Sequence, residues 1–410
     1  MSLFHSKADP VRFGIIVEIG SGSVLVAIVR SEQGQEHPDI LWSEREYIKR
    51  RTEHDLTATA KDILTSLMNA VLMAQSQGKT ILESVGHGTT FNHIQVSITA
   101  PWSYTITKVI SYNEEDTFTI THALIQSLMD AAQKKIIEEL KENELASDLG
   151  LTITARATTD IQANDYKIQN PVGQHADTLT LTQVSAVTQT YLTEALEDIK
   201  HKVFPHVTIE RYSFMLIYHC IIRDLHEHMT EYCLVDITDE ATEIGIVRGG
   251  ILKYCTHTAI GIGTLARSIA ETLSLPIDEA YSFMKEPNYS HALSELSPEK
   301  RSDVELVLKN YQQAVTDIFH ETGDALSIPK VLFLHGGFQT EEFFTEQIGL
   351  AAKAATNATH NVHPVTAELL TEHYTPEQKQ QITTENHDTA VLVAAAFFHK
   401  QHHCNDFVQV

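Results

Sequence analysis

One pattern constrains the fold more than any other, because it occurs twice. "VEIGSGSVLVAIV" (17–29) reads as an apolar strand, a Gly/Ser turn and a second apolar strand. "YCLVDITDEATEIGIVRGGILKYCT" (232–256) repeats that order and extends into a third strand. The units lie about 220 residues apart and each is followed by further strand and helix, which is duplication at the scale of a lobe, not a short solenoid repeat. A chain of 410 residues is too long for one ordinary core and suits two lobes or two to three domains.

Between the two units the period of the apolar residues changes repeatedly. "PDILWSEREYI" (38–48) supplies a third strand to the first unit. In the stretch after it, Ile63, Leu64, Leu67, Val71 and Leu72 recur at helical spacing. "FNHIQVSITAPW" alternates as a strand and stops at Pro101. Residues 103–186 then read strand, long amphipathic helix, strand, strand, the pattern of an inserted α+β unit. The expected division is 1–102 as the first lobe's opening part, 103–186 as the insertion, 187–230 as the rest of that lobe and 231–410 as the second lobe. A mostly helical stretch is expected near 270–328, then a strand, "KVLFLHGG", ending in paired glycines.

Bulk properties exclude several classes. The formal net charge is −24 and the longest basic run is Lys49-Arg50-Arg51, so a nucleic-acid partner is not expected. The longest apolar run, "VLVAAAFF" (391–398), falls far short of the roughly 20 residues that span a bilayer. The start, "MSLFHSKADPVRF", has no signal-peptide core, and four cysteines without CxxC spacing suggest no disulfide framework. A cytoplasmic location is the expectation. "GKT" (78–80) follows a helix, not a strand, and lacks the first P-loop glycine, so it reads as a helix C-cap. "HKQHHC" (399–404) has no second ligand pair and reads as a polar tail. His226 and His228 lie two apart on a helix and make a poor ligand pair. No G-x-S-x-G turn is present.

The ordered motifs resemble the actin-like ATPase superfamily, and the inserted unit resembles its FtsA/PilM-like branch, closest to the type IV pilus assembly type. That resemblance covers about residues 12–400 and implies a two-lobed, duplicated α/β fold of the ribonuclease H-like kind with an α+β insertion in the first lobe. "GSGSV" at 20–24 is similar to the first phosphate hairpin, and "VDITDEATEIGIVRGGIL" to the second. "AIGIGTLARSIAETLSLPIDEAYSFMK" resembles the glycine turn and helix that follow, and Gly336-Gly337 the adenosine-side pair. The helices at 213–228 and 387–399 fall where the family has its connecting helices. ATP with Mg²⁺ is the implied cofactor, and the implied binding residues are Glu18, Gly20, Ser21, Gly22, Ser23, Asp236, Thr238, Asp239, Thr242, Gly336 and Gly337. Asp236 would hold the metal through water.

The residues depart from that pattern in one direction. Glu18 stands where the family has Asp, and Leu25 where it has a phosphate-binding Lys. Thr238 and Glu240 replace glycines, and a carboxylate at 240 pointing into the cleft would repel phosphate. Ala266 and Ser268 replace polar residues after "AIGIG". Weak or vestigial nucleotide binding follows, with hydrolysis less favoured still.

By resemblance the insertion would bind a cytoplasmic peptide of a single-pass membrane protein, with Trp102, Tyr104 and Tyr112 as surface candidates. The protein would then sit at the inner face of the membrane through its partner, without inserting into the bilayer, and could self-associate. The alternative is an active FtsA-like ATPase that polymerises with nucleotide. Against that version, "QHHCNDFVQV" has too few apolar residues for a membrane-binding helix. A sugar kinase of the same fold would need a catalytic Asp in a sugar pocket, for which no candidate is evident.

Overall fold

In a computed structural model, residues 10–85, 91–142, 150–286, 288–322, 328–385, 387–403 and 408–409 are described. The first lobe opens with strands β1 (Val11–Ile19), β2 (Ser23–Glu32) and β3 (Asp39–Tyr47), helix α1 (Leu56–Ser84) and strand β4 (His93–Ile98). The insertion follows as β5 (Ser103–Thr119), α2 (His122–Glu142), β6 (Leu151–Ala163), β7 (Tyr166–Lys167) and β8 (His175–Gln189). Helix α3 (Thr190–Val203), strand β9 (Thr208–Ser213) and helix α4 (Phe214–Leu225) complete the first half. The second lobe comprises β10 (Tyr232–Ile237), β11 (Thr242–Arg248), β12 (Ile251–Thr258), α5 (Ile262–Leu273), α6 (Ile277–Lys285), α7 (Tyr289–Glu295) and α8 (Pro298–His320). It continues through β13 (Val331–Gly336), α9 (Glu341–Thr356), β14 (Asn361–Pro364), α10 (Ala367–Leu370), α11 (Pro376–Glu385) and α12 (Thr389–His403), with a short β15 (Val408–Gln409).

The duplication is visible in the strand order. One sheet runs β3-β2-β1-β4-β9 and the other β12-β11-β10-β13-β14. In each, an antiparallel three-stranded unit is extended by two parallel strands. The central strands are buried on both faces, so they read as continuous apolar runs. In β2, Leu25, Ala27 and Val29 enter the core between the sheets, whereas Val24, Val26 and Ile28 pack beneath α1. Helices α4 and α12 share the core between the sheets. Every residue of α4 from Phe214 to Ile222 is buried, which explains why "FMLIYHCII" is apolar nearly all round.

The insertion forms a sheet ordered β15-β6-β8-β5, with α2 packed on its outer half through Leu128, Ala132, Leu179 and Leu181. Its inner end joins the main body, where Ala155, Ala157, Val184 and Ala186 enter the same core as α4 and α12. It also reaches the second lobe. The Thr107 hydroxyl donates to the Leu252 carbonyl at 3.1 Å, and the Tyr104 ring stacks on His257 at 4.2 Å.

Several expectations change. Gly78 lies inside α1 and not at its end, because the Phe91 ring occupies the space a Cβ would need, 2.3 Å away. The histidines at 399–403 belong to α12 and are no tail: the Ser31 hydroxyl pairs with His399 Nδ1 at 2.8 Å and with His402 Nδ1 at 2.9 Å. Cys404 lies outside the described residues, as do residues 1–9. Helix α4 ends before His226, whose ring stacks on Phe333 at 4.9 Å. Among the described residues no helix is long and apolar enough to cross a membrane.

Candidate functional site

The turn after β1 and the turn after β10 meet at the floor of a cleft of about 510 Å³ between the lobes. Of the residues singled out from sequence, Glu18, Gly20, Ser21, Gly22, Ser23, Asp236, Thr238, Asp239, Gly336 and Gly337 border this cleft. Thr242 does not. It is fully buried, and its hydroxyl is held by the Ile260 carbonyl at 2.8 Å and the Tyr311 hydroxyl at 3.1 Å inside the second lobe.

The two turns touch. The Ser21 hydroxyl donates to Thr238 Oγ1 at 3.0 Å and accepts from the Glu240 N–H at 2.9 Å. Thr238 donates onward to the Ala100 carbonyl at 2.9 Å, and the Trp102 indole N–H donates to the Gly20 carbonyl at 3.0 Å. A Cβ on Gly22 would stand 2.8 Å from both Asp239 Cβ and Phe338 Cζ, so only glycine permits this approach. Ser21 thus latches one turn to the other.

An ion triad lies beside the latch, with Glu18 buried, Arg45 half-buried and Asp388 partly open to solvent. Across the first sheet, Glu18 pairs with Leu25 and Leu25 with Arg45. The Arg45 side chain reaches across this row, donating from Nη1 to Glu18 Oε2 at 2.8 Å and to Ser23 Oγ at 2.7 Å. Its Nε donates to Asp388 Oδ2 at 2.7 Å, just before α12. The cation missing at position 25 is therefore supplied from the next strand, but two carboxylates already hold it. Burial pushes the Glu18 carboxyl above its ordinary range, with Arg45 opposing. For Asp388 burial works upward too, but Arg45 wins and its pKa lies below the ordinary value.

On the opposite wall, His335 stands across from Asp236 in the second sheet and its Nδ1 lies 2.7 Å from Asp236 Oδ1. Burial alone would lower the imidazole's pKa, but the bond to Asp236 raises it overall. Asp236 is 1 % exposed, and its Oδ2 has no hydrogen-bond partner.

Glu240 turns away from the cleft. Arg267 grips it through two bonds of 2.9 and 2.6 Å, and Thr264 donates to it at 3.2 Å. The repulsion expected of a cleft-facing carboxylate at 240 is therefore absent. The N-terminus of α5, the natural seat for an anion, is taken by the chain itself. Ile262 N–H donates to the Thr238 carbonyl at 2.8 Å and Gly263 N–H to the Asp239 carbonyl at 2.8 Å.

Asp239 is also buried, and the Tyr281 hydroxyl donates to its Oδ1 at 2.5 Å. Desolvation pushes its pKa up to about 6. Because the folded pKa exceeds the unfolded one, near 4, ionisation costs the folded state stability as pH rises from 4 to 6, and the cost is then constant. Asp239→Asn is therefore expected to stabilise the protein by about 1–3 kcal/mol at pH 8. The gain should vanish below pH 4, measured as denaturation midpoints across that range.

The mouth of the cleft is bridged by aromatic rings. After Gly337, Phe338 and Gln339 both adopt left-handed backbone (φ +61°), a costly conformation for such residues. This brings Phe338 to 5.4 Å from the Tyr47 ring of the first lobe and 5.6 Å from Tyr281. Arg50 lies 4.1 Å over the Tyr281 ring and pairs with Asp278.

In this arrangement the residues fit a Mg²⁺-polyphosphate poorly. The turns that would grip phosphates hold each other, the helix terminus is filled, and Arg45 is committed. Among the described residues no three His, Cys, Asp or Glu side chains are grouped to hold a metal ion. The aromatic candidates for peptide capture also move: Trp102 is buried under the first turn and Tyr104 sits in the seam with the second lobe. Tyr112, edge-on to Phe118 at 5.0 Å, stays near the surface.

Two duplicated sheets, paired turns facing a shared cleft and two helices between them define an actin-like ATPase fold. Among solved structures, this chain is similar to the PilM-PilN type IV pilus biogenesis complex, at 14 % identity over 94 % of this chain and 98 % of that one, with a TM-score of 0.55. It also aligns with the ethanolamine utilization protein EutJ from Carboxydothermus hydrogenoformans (11 % identity, 95 % and 90 % covered, TM-score 0.44). A Bacteroides thetaiotaomicron protein with an actin-like ATPase fold aligns at 9 % identity (92 % and 97 % covered, TM-score 0.37). At these identities the likeness is one of fold. No family model matches the sequence, and no curated protein matches it.

Proposed function

We propose that this protein is an actin-fold scaffold of a type IV pilus or related membrane-associated assembly, with weak or vestigial ATP binding. The observation that carries this reading is the Ser21 latch, which spends the phosphate-gripping turns on holding the lobes together. The fold likeness to a PilM–PilN complex supports the choice of assembly. On this reading the protein works in the cytoplasm and reaches the membrane's inner face by binding the cytoplasmic peptide of a single-pass membrane protein.

Strand β9 is the edge of the first lobe's sheet, next to the insertion. Beside it runs an open groove of about 610 Å³ bordered by Tyr191, Glu194, Ala195, Asp198 and Arg211. An extended peptide laid there would gain main-chain hydrogen bonds from the edge and side-chain contacts from α3. The test is capture from an array of cytoplasmic tails of single-pass membrane proteins, beside ATP turnover and sedimentation. Ala195→Trp, which fills the groove, is expected to weaken capture more than tenfold (about 1.4 kcal/mol) while leaving thermal stability nearly unchanged. Nucleotide-dependent turnover or filaments would overturn the scaffold reading in favour of an active, polymerising ATPase.

A further inference from the structure

We propose that Phe338 is a strained clasp that holds the two lobes closed across the mouth of the cleft. Phe338 and Gln339 follow each other in the loop between β13 and α9, and both have φ of +61°. Left-handed backbone is unfavourable for a residue with a Cβ. Two such residues in a row persist only where the surroundings hold them there, and such outliers gather at switch regions. Gln339 is exposed, so the hold comes from the Phe338 ring.

That ring belongs to the second lobe but is seated on the first. A Cβ on Gly22 would stand 2.8 Å from its Cζ, and its centroid is 5.4 Å from that of Tyr47. Tyr281 backs it from the second lobe at 5.6 Å. Arg50 of the first lobe lies 4.1 Å over Tyr281 and 5.9 Å from the Phe338 centroid, and it pairs with Asp278 of the second lobe. The ring also divides space. Phe338, Gly22, Tyr47 and Asp239 border the cleft on one side and, on the other, a recess of about 20 Å³, room for about one water.

Strain and contact therefore oppose each other, which defines a two-state element. A small separation of the lobes forfeits ring contacts while the left-handed pair still carries its strain. Partial opening is disfavoured, and the loop relaxes in one step once the ring leaves Gly22 and Tyr47. The Ser21 latch acts at the floor of the cleft and the clasp at its mouth. This inference goes beyond the scaffold reading and holds with or without peptide capture.

The experiment is hydrogen exchange of the full chain, read by mass spectrometry at the amides of the two facing turns, 20–23 and 238–241. Phe338→Ala removes the ring and keeps an unfavourable left-handed residue, so exchange there should quicken at least tenfold. Tyr47→Ala should act on the same amides, and its effect should largely disappear when Phe338 is already alanine. Gln339→Gly relieves strain and leaves the ring in place, so exchange should slow about threefold. The amides of α2, which the clasp does not touch, should be unchanged throughout. Unchanged turn exchange in Phe338→Ala would overturn the proposal, as would faster turn exchange in Gln339→Gly. Equal quickening at α2 would mean general loosening of the molecule and would also overturn it.

Discussion

Replacing Arg45 by alanine is expected to destabilise the protein by about 3–5 kcal/mol, because the cation that holds the buried Glu18 is removed and the carboxylate stays behind. Glu18, with 5 % of its side chain exposed, would be left without its cation. Asp388 is less confined, with 38 % of its side chain exposed, and can recover water, which favours the lower end of that range. Arg45→Lys should recover part of the loss, since one ammonium cannot reproduce the fork that spans Glu18, Ser23 and Asp388. The double replacement Glu18→Gln with Arg45→Met should cost less than Arg45→Ala alone. Urea unfolding of the four proteins checks this. Near-equal midpoints for wild type and Arg45→Ala would mean that the triad contributes no net stability.

A comparable loss is expected at Gly261, for steric reasons. A Cβ there would stand 2.3 Å from the Thr238 carbonyl oxygen, 2.6 Å from the Ala241 nitrogen and 2.8 Å from the Asp239 carbonyl carbon. All three are backbone atoms of the second turn, so no side chain can swing aside. Gly261→Ala must push α5 away from that turn and break the hydrogen bonds from Ile262 and Gly263. Overpacking with lost buried hydrogen bonds gives an expected cost of about 3–5 kcal/mol. Gly250→Ala is the useful contrast: its φ of +73° disfavours alanine, but nothing lies within 4 Å of the added carbon. About 1–2 kcal/mol is expected there. A drop at 261 no larger than at 250 would show that α5 and the turn relax to take up the added carbon, since the extended backbone of Gly261 (φ −131°) is itself open to alanine.

The duplicated fold was legible because each sheet's central strands write a long apolar run on either side of a polar turn, and the turn chemistry repeats. The insertion was legible because its strands alternate and its helix is amphipathic. The cleft was read only in part. Gly20, Gly22 and the 336–337 pair all border the cleft, but only the first two are approached closely: a Cβ on Gly336 or Gly337 would meet nothing nearer than 3.6 Å. Arg45 escaped notice because it sits in an ordinary alternating strand, yet its register opposite Leu25 was the available signal. His335 precedes the glycine pair and gains meaning only once β13 lies beside β10. The Ser21 latch depends on contacts between segments about 220 residues apart, which spacing alone does not encode. Glu240 is drawn away from the cleft by Arg267, 27 residues on, a pairing that shows only once α5 packs against the turn. Thr242 looked like a site residue because it follows the turn, but strand alternation sends its hydroxyl into the core.

The seam between β5 and the second lobe has a mechanical consequence. On the reading proposed above, a tether pulling on β9 would pass load to the neighbouring insertion sheet, to which the Ser213 hydroxyl is bonded through Thr105 at 2.7 Å, and that sheet is anchored to both halves of the molecule. Its inner end is embedded beside α4 and α12, while Thr107 and Tyr104 fasten it to Leu252 and His257. Tension is therefore divided between two anchor points instead of prising the lobes apart along the cleft. The insertion is braced like a strut across a hinge.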